Sequence, residues 1–419
     1  MNLNIEGGRI VDPASGRDEV GNLYIAEGRI AAAPARGARR IDARGLVVAP
    51  GLVDLAARLP DPGSAQMAAL QTEMDAAVAG GITSVACPPD TRPALDEPGL
   101  VDMLRRRSRT ISRAKVFPVG ALTAGLEGRK LAEMAELSAA GCVAFSQGGA
   151  PLPDWSIAWR AMQYAKTFGF AVWLRAEDQS LAREGVAHDG EVATRLGLPG
   201  IPPIAETIAL AALLELVRAT RSRLHVCRLS TAGAVDMVRA AKKEGLPVTC
   251  DVGVHHLHLS EMDLGFFDAQ CRLDPPLRSG RDRDALTAGL SDGTIDCVVS
   301  DHTPVSADGK ELPFGEAEPG ATGLELLLPL VLKWGAARDL PLLKTLARVT
   351  SDAARVLGSS GGTLAVGAPG DVVVFDPGHP VTVTEQALRS KGKNSPFLGY
   401  ELHGKVRATA VEGEIVFEA

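Results

Sequence analysis

Between residues 52 and 300 short apolar runs alternate with longer stretches whose apolar positions recur every three or four residues. The runs cover 52–56, 84–87, 116–119, 142–145, 171–174, 224–229, 248–252 and 297–300. They read as buried parallel strands, because a strand covered on both faces loses the alternation of apolar and polar residues. The stretches 67–79, 129–140 and 204–220 carry helical spacing. Eight strands alternating with helices predict an α/β chain built as a (β/α)8 TIM-type barrel.

The two ends have a different pattern. Asn4-Ile5-Glu6 runs into Gly7-Gly8, Arg9-Ile10-Val11 stops at Asp12-Pro13, and Asn22-Leu23-Tyr24-Ile25 precedes Glu27-Gly28. Short strand-like runs punctuated by glycine and proline are hairpin signals. Near the other end, 371–375 reads as a strand stopped by Asp376-Pro377, and 406–417 carries two more around Gly413. The expected organisation is a small β-sandwich domain of residues 1–50 and 360–419 beside a barrel of residues 51–359. That barrel exceeds the roughly 250 residues typical of the fold.

Composition narrows the function classes. Of 419 residues 46% are hydrophobic and 23% charged, which supports a large core and excludes disorder. The net charge of -7, read as spread without long like-charge blocks, argues against nucleic acid as main partner. The polar, strand-like start and the lack of a long apolar run point away from a signal peptide or membrane span and toward the cytoplasm. Cys87, Cys142, Cys227, Cys250, Cys271 and Cys297 stand singly, with no C-x-x-C pair to hold zinc, and read as buried thiols in a reducing compartment.

In a barrel of this kind the reactive groups gather at the C-terminal ends of the strands. There the chain reads Asp54-Leu55-Ala56-Ala57-Arg58-Leu59-Pro60-Asp61-Pro62-Gly63, Pro88-Pro89-Asp90-Thr91, Ser146-Gln147-Gly148-Gly149, Leu174-Arg175-Ala176-Glu177-Asp178, His225-Val226-Cys227-Arg228-Leu229-Ser230-Thr231, His255-His256-Leu257, Asp274-Pro275-Pro276-Leu277-Arg278 and Ser300-Asp301-His302-Thr303-Pro304. The run Ser390-Lys391-Gly392-Lys393-Asn394-Ser395-Pro396-Phe397 follows near the end. In this order, over nearly the whole chain, these motifs resemble the dihydroorotase and hydantoinase branch of the amidohydrolase superfamily.

The resemblance also shows what has changed. Family members close the first strand on H-x-H, two imidazoles aimed at one metal; Ala56 and Arg58 stand there. Alanine offers no lone pair, and arginine stays protonated with no acceptor. Where the family carries acids after a later strand, this chain has Gln147 and Gly148. Two further histidine ligands correspond to Arg175 and Arg228, and only the ligating aspartate, Asp301, is kept. A catalytic zinc needs about three protein ligands. Without it no bound water is brought from a pKa of ~15.7 toward ~7. The zinc site is therefore expected to be lost, with Asp301 vestigial and no cofactor. At positions where the family binds substrate, this chain has Pro60 for an arginine, Asp90 and Asp274 for asparagines, and Val305 for a histidine. Two aspartates in place of amides would repel an anionic substrate.

The implied function is that of a catalytically inactive dihydroorotase-like subunit. Chains of this type act as non-catalytic, assembly-promoting partners of aspartate carbamoyltransferase in pyrimidine biosynthesis, and a homo-oligomer within a mixed complex is the expected assembly. Two alternatives stay open: an active cyclic amide hydrolase with a non-standard site using Asp301 as a lone base, and a barrel that senses small anions. Arg58, Arg175 and Arg228 are expected to turn inward and pair with Asp301, Asp90 and Asp274, because buried charges left unpaired cost several kcal/mol. Among the histidines, His255 and His256 are read as strand neighbours facing opposite ways, His225 as a core imidazole and His302 as support for its strand end. His188, His258, His379 and His403 are read as lying in loop-like or polar settings. Gly148-Gly149 lacks the spacing of a phosphate loop and reads as a barrel turn.

Overall fold

The structure, a computed structural model, describes residues 2–60 and 70–419. Its central sheet is a run of eight strands, each hydrogen-bonded to the next in chain order. They are β1 (Leu52–Asp54), β2 (Ile82–Cys87), β3 (Lys115–Ala121), β4 (Ala144–Ser146), β5 (Ala171–Leu174), β6 (Arg223–Val226), β7 (Val248–Gly253) and β8 (Cys297–Val299). Every pairing is parallel. The ring closes just past the strand ends, where Ala57 and His302 form a parallel bridge, with Arg58 N–H donating to His302 O at 2.9 Å and His302 N–H to Ala56 O at 3.2 Å. The buried carboxylate of Asp54 ties β1 to β8, accepting from Ser300 N–H at 2.9 Å.

All eight apolar runs became strands, because each is enclosed by barrel interior and surrounding helices; every residue of Ile82–Cys87 is buried. The helix Ile204–Thr220 has its predicted ends. The first predicted helix appears as Leu70–Ala79, and residues 67–69, like Asp61-Pro62-Gly63, lie outside the described residues. The helix expected over 129–140 starts only at Met134. The preceding residues serve the β3 loop instead: Ala124 N–H bonds Lys130 O, and Ala132 N–H bonds Leu122 O.

The terminal segments form one eight-stranded, mostly antiparallel sheet. Its apolar cluster, with Leu3, Ile10, Ile25, Val48, Val374 and Ala408, is separate from the large cluster around the barrel. Two short strands expected before Pro13 are one strand, Leu3–Asp12, with a bulge between Ile5 and Gly8. Gly7 supplies the left-handed conformation that the bulge requires, with φ of 72°. At the other end Pro377 does not stop its strand, which runs Val372–Thr382. The ladder is irregular between Asp376 and Pro380, so the missing proline N–H falls where no ladder bond is made. No disulfide joins any of the six cysteines. Among the described residues no helix is long and apolar enough to cross a membrane.

Candidate functional site

The C-terminal ends of the barrel strands deliver a compact set of arginines and carboxylates. From β1 the chain carries Arg58 inward. Its Nε and Nη2 donate to Asp90 Oδ2 at 3.1 and 3.0 Å, and its Nη1 reaches Thr303 Oγ1 at 3.0 Å and Asp301 Oδ1 at 3.4 Å. Asp90 comes from the loop after β2 and is received by the Gly148-Gly149 turn after β4. Gly149 N–H donates to its Oδ2 at 3.2 Å. A Cβ on Gly148, whose φ is 61°, would sit 2.9 Å from the Asp90 side chain. The two glycines thus make room for a carboxylate, a role their spacing in the sequence does not reveal.

Arg228 follows β6. Its backbone N–H donates to Asp251 Oδ1 at 2.7 Å, and Asp251 Oδ2 lies 2.8 Å from His225 Nε2. The Arg228 Nη1 reaches Asp301 Oδ1 at 3.2 Å and the carbonyl of Asp274 at 3.0 Å. Arg228 and Asp301 both adopt left-handed backbone, with φ of 56° and 46°. Such conformations cost of order 1–3 kcal/mol each and persist only where surroundings hold them. Arg175, after β5, bonds the carboxylates of Asp274 and Glu177. All three arginines turn inward and pair as expected, with Glu177 and Thr303 joining the named partners.

The electrostatics follow from burial opposed by the guanidiniums. Burial pushes the Asp301 carboxyl above its ordinary range, and Arg228 and Arg58 pull against it. At Asp274 burial is outweighed by Arg175 and Arg228, which hold it at about 2. At Asp90 burial is likewise outweighed by Arg58 and Arg228, leaving it below its ordinary value. A cavity of about 190 Å³ remains, bordered by Arg58, Asp90, Arg228, His255, Asp274 and Asp301. Three guanidiniums, Arg58, Arg175 and Arg228, bond four carboxylates here, Asp90, Glu177, Asp274 and Asp301.

The other predicted positions divide. Ala56 sits at the top of β1 in the barrel interior. Gln147 is buried but turned from the cluster, its amide joining Thr123 Oγ1 at 2.9 Å and the carbonyl of Leu126 at 2.7 Å. Val305 is buried away from the cavity, its N–H donating to Asn394 Oδ1 at 2.9 Å. Pro60 ends the described stretch after β1.

His255 and His256 are not strand neighbours: they lie in a 3-10 turn, Val254–Leu257, that begins where β7 stops. His255 stacks on Phe397 with ring centroids 5.7 Å apart, and His256 Nε2 lies 3.1 Å from Pro275 O. His188 and His258, read as loop-like or polar, are enclosed. His188 is buried in the short strand Ala187–His188, and His258 Nε2 lies 2.9 Å from Leu330 O. His302 is fully buried, its Nε2 2.8 Å from Glu73 Oε2.

These donors do not fit a catalytic metal at the family position. The kept aspartate is already bonded by two cations, and a divalent ion there would face both guanidiniums. Among the described residues one other group brings ligating atoms within 4.8 Å of one another: His225, Cys227 and Asp251. Both ring nitrogens of His225 are engaged, by Asp251 and, at 2.8 Å, by Thr249 Oγ1. Burial also raises the Cys227 thiol well above its ordinary value.

Comparison with known proteins agrees with this architecture. Residues 45–234 match the family model described as dihydro-orotase-like, and residues 276–417 that of the amidohydrolase family. A protein named dihydroorotase-like from Pseudomonas aeruginosa is 43% identical over 100% of both chains. One named dihydroorotase from a Geobacter species is 41% identical, again over 100% of both. The solved L-hydantoinase of Arthrobacter aurescens superposes with a TM-score of 0.88 at 25% identity, covering 99% of this chain and 96% of its own.

Proposed function

The chain belongs to the dihydroorotase-like family of the amidohydrolase superfamily, and from that premise we propose that it is a non-catalytic member which serves as an assembly partner of aspartate carbamoyltransferase. The observation that carries the first half is the double engagement of Asp301 Oδ1, by Arg58 at 3.4 Å and Arg228 at 3.2 Å. In this reading guanidiniums supply the positive charge that a metal supplies in hydrolytic relatives. They cannot supply its chemistry, because a guanidinium neither binds hydroxide as a ligand nor lowers the pKa of water by coordination. Asp90 and Asp274 add negative charge where an anionic substrate would sit. The second half rests on the dihydroorotase-like resemblance along the whole chain and on an intact scaffold around an altered site.

Size-exclusion chromatography with light scattering tests the assembly role. The chain, mixed with aspartate carbamoyltransferase from the same source, should elute with it as one species larger than either alone. Separate elution, with the transferase fully assembled and active by itself, would overturn the proposal. A second reading has a specific observation behind it: the Geobacter relative at 41% identity is named a dihydroorotase. Under that reading the chain hydrolyses a cyclic amide with Asp301 as base, and steady turnover of dihydroorotate distinguishes it.

A further inference from the structure

A second cavity lies at the opposite end of the barrel from the arginine–aspartate cluster. It has a volume of about 430 Å³ and sits where β3 begins, between the last turns of the helix Pro98–Ile111 and the turn at Glu412. Four cations line it: Arg105, Arg109, Arg113 and Lys115. The sequence explains the concentration. Between Asp102 and Glu127 the chain carries six cations, Arg105, Arg106, Arg107, Arg109, Arg113 and Lys115, and no acid. In a chain of net charge -7 this is a like-charge block that the reading of evenly spread charge missed.

The partners of these cations matter more than their number. Arg113 is matched by Asp75 at 2.6 Å, and Lys115 by Asp371 at 2.6 Å and Glu412 at 3.5 Å. Arg105 has no carboxylate partner among the described residues: its Nη1 bonds the carbonyl of Ala140, and its guanidinium lies over Gly141, where a Cβ would come within 2.4 Å of it. Arg109 is exposed and, among the described residues, has no ion-pair partner. The two stand four residues apart, on one face of the helix. The carbonyls at the end of this helix, which would repel an anion, are largely spoken for. Ser112 N–H bonds the carbonyls of Ser108 and Arg109, and Arg113 Nη1 bonds the carbonyl of Ser112 at 3.3 Å.

We propose that this basal cavity binds a small molecule bearing an oligophosphate. Its volume falls in the roughly 300–1,000 Å³ range of small-molecule sites. Arg105 and Arg109 present planar forks suited to phosphate oxygens, and Arg113 and Lys115 add to the field. A concave site with one carboxylate in its lining, Glu412, favours a compact polyanion over a long acidic chain. Occupancy would brace three elements at once: the helix Pro98–Ile111, the start of β3 and the turn at Glu412. Binding here lies apart from the cluster at the barrel mouth and does not depend on whether the chain is an enzyme.

The test is isothermal titration and thermal unfolding of the full chain with tripolyphosphate, ATP and adenosine, repeated with Arg109→Glu and Arg109→Gln. Arg109 is exposed and makes no ion pair among the described residues, so both variants should fold as the parent does. Tripolyphosphate and ATP should bind saturably and raise the unfolding temperature. Arg109→Glu should weaken both by about tenfold or more, with Arg109→Gln between, and added salt should weaken the parent's binding. Tighter binding of ATP than of tripolyphosphate, with none of adenosine, would support a nucleotide; equal binding would support the phosphates alone. No saturable binding at millimolar concentration, or binding unchanged in Arg109→Glu, would overturn the proposal.

Discussion

Replacing Arg228 with methionine would remove the more buried of the two guanidiniums on Asp301 while keeping most of the side-chain volume. Arg228 is 6% exposed, and it bonds Asp301 Oδ1 at 3.2 Å and the carbonyl of Asp274 at 3.0 Å. Breaking a buried ion pair from one side costs about 3–5 kcal/mol, because the remaining charge is left without its partner. Asp301 still has Arg58 at 3.4 Å, which places the loss near the lower bound. The carbonyl of Asp274 loses a donor, worth about 1 kcal/mol. The expected destabilisation is about 3 kcal/mol. Asp301→Asn should cost about as much, about 3 kcal/mol, because it strands the buried Arg228 while Arg58 keeps Asp90 and Thr303. In the double variant no charge is stranded by the other, so the two losses should fall short of additivity by about 1–3 kcal/mol. Urea denaturation followed by circular dichroism reads this from midpoints, provided the slopes stay equal. A loss below ~0.5 kcal/mol for Arg228→Met, the size of an ordinary surface change, would refute the argument that this pair holds the barrel mouth together.

Further outcomes follow from other parts of the molecule. Burial lowers His255 to about 3, and His256 and His258 to about 4, from an ordinary 6.5, so all three stay neutral in the fold and take up protons on unfolding. Stability should therefore be full above pH 7 and fall as the pH drops from 6.5 toward 4, with a slope approaching about 4 kcal/mol per pH unit; a denaturation midpoint that stays flat from pH 7.5 to 4.5 would contradict this. Gly148→Ala combines a φ of 61° with a Cβ 2.9 Å from Asp90, and should cost about 1–3 kcal/mol, part of which Asp90→Ala recovers. Denaturation of the single and double variants checks it, and equal losses in both would rule out the contact with Asp90. Glu73, fully buried, receives Ser390 Oγ–H at 2.6 Å and Lys391 N–H at 3.0 Å and faces His302 at 2.8 Å. Glu73→Leu should cost about 3 kcal/mol and loosen the segment after Leu388, seen as faster amide exchange there; exchange confined to the barrel would count against that link.

The barrel was legible because its signal is local and repeated: eight short apolar runs separated by longer stretches, each run long enough to be buried on both faces. Element ends were less legible where a loop needed the residues, as at Lys130–Ala132, or where a glycine kept a strand going through an apparent turn, as at Gly7. Alignment of strand ends located Arg58, Arg175, Arg228, Asp90, Asp274 and Asp301, since residues at the ends of neighbouring barrel strands converge in any barrel. It misplaced Gln147, whose amide serves two loops, because side-chain direction just past a strand depends on backbone conformation that residue type does not fix. The supporting roles of Gly148 and Gly149 required a contact between loops 59 residues apart. The basal cavity went unread because its cations were averaged into the composition; counting acids between Asp102 and Glu127 would have found it.

Metal analysis of the purified chain, together with dihydroorotate hydrolysis in added zinc, tests the central claim most directly. The account predicts metal far below one equivalent per chain and no turnover above the uncatalysed rate, with Arg58 and Arg228 keeping Asp301 from an ion. One equivalent of bound metal with steady turnover would contradict it, and would place the ligands elsewhere, first among His225, Cys227 and Asp251.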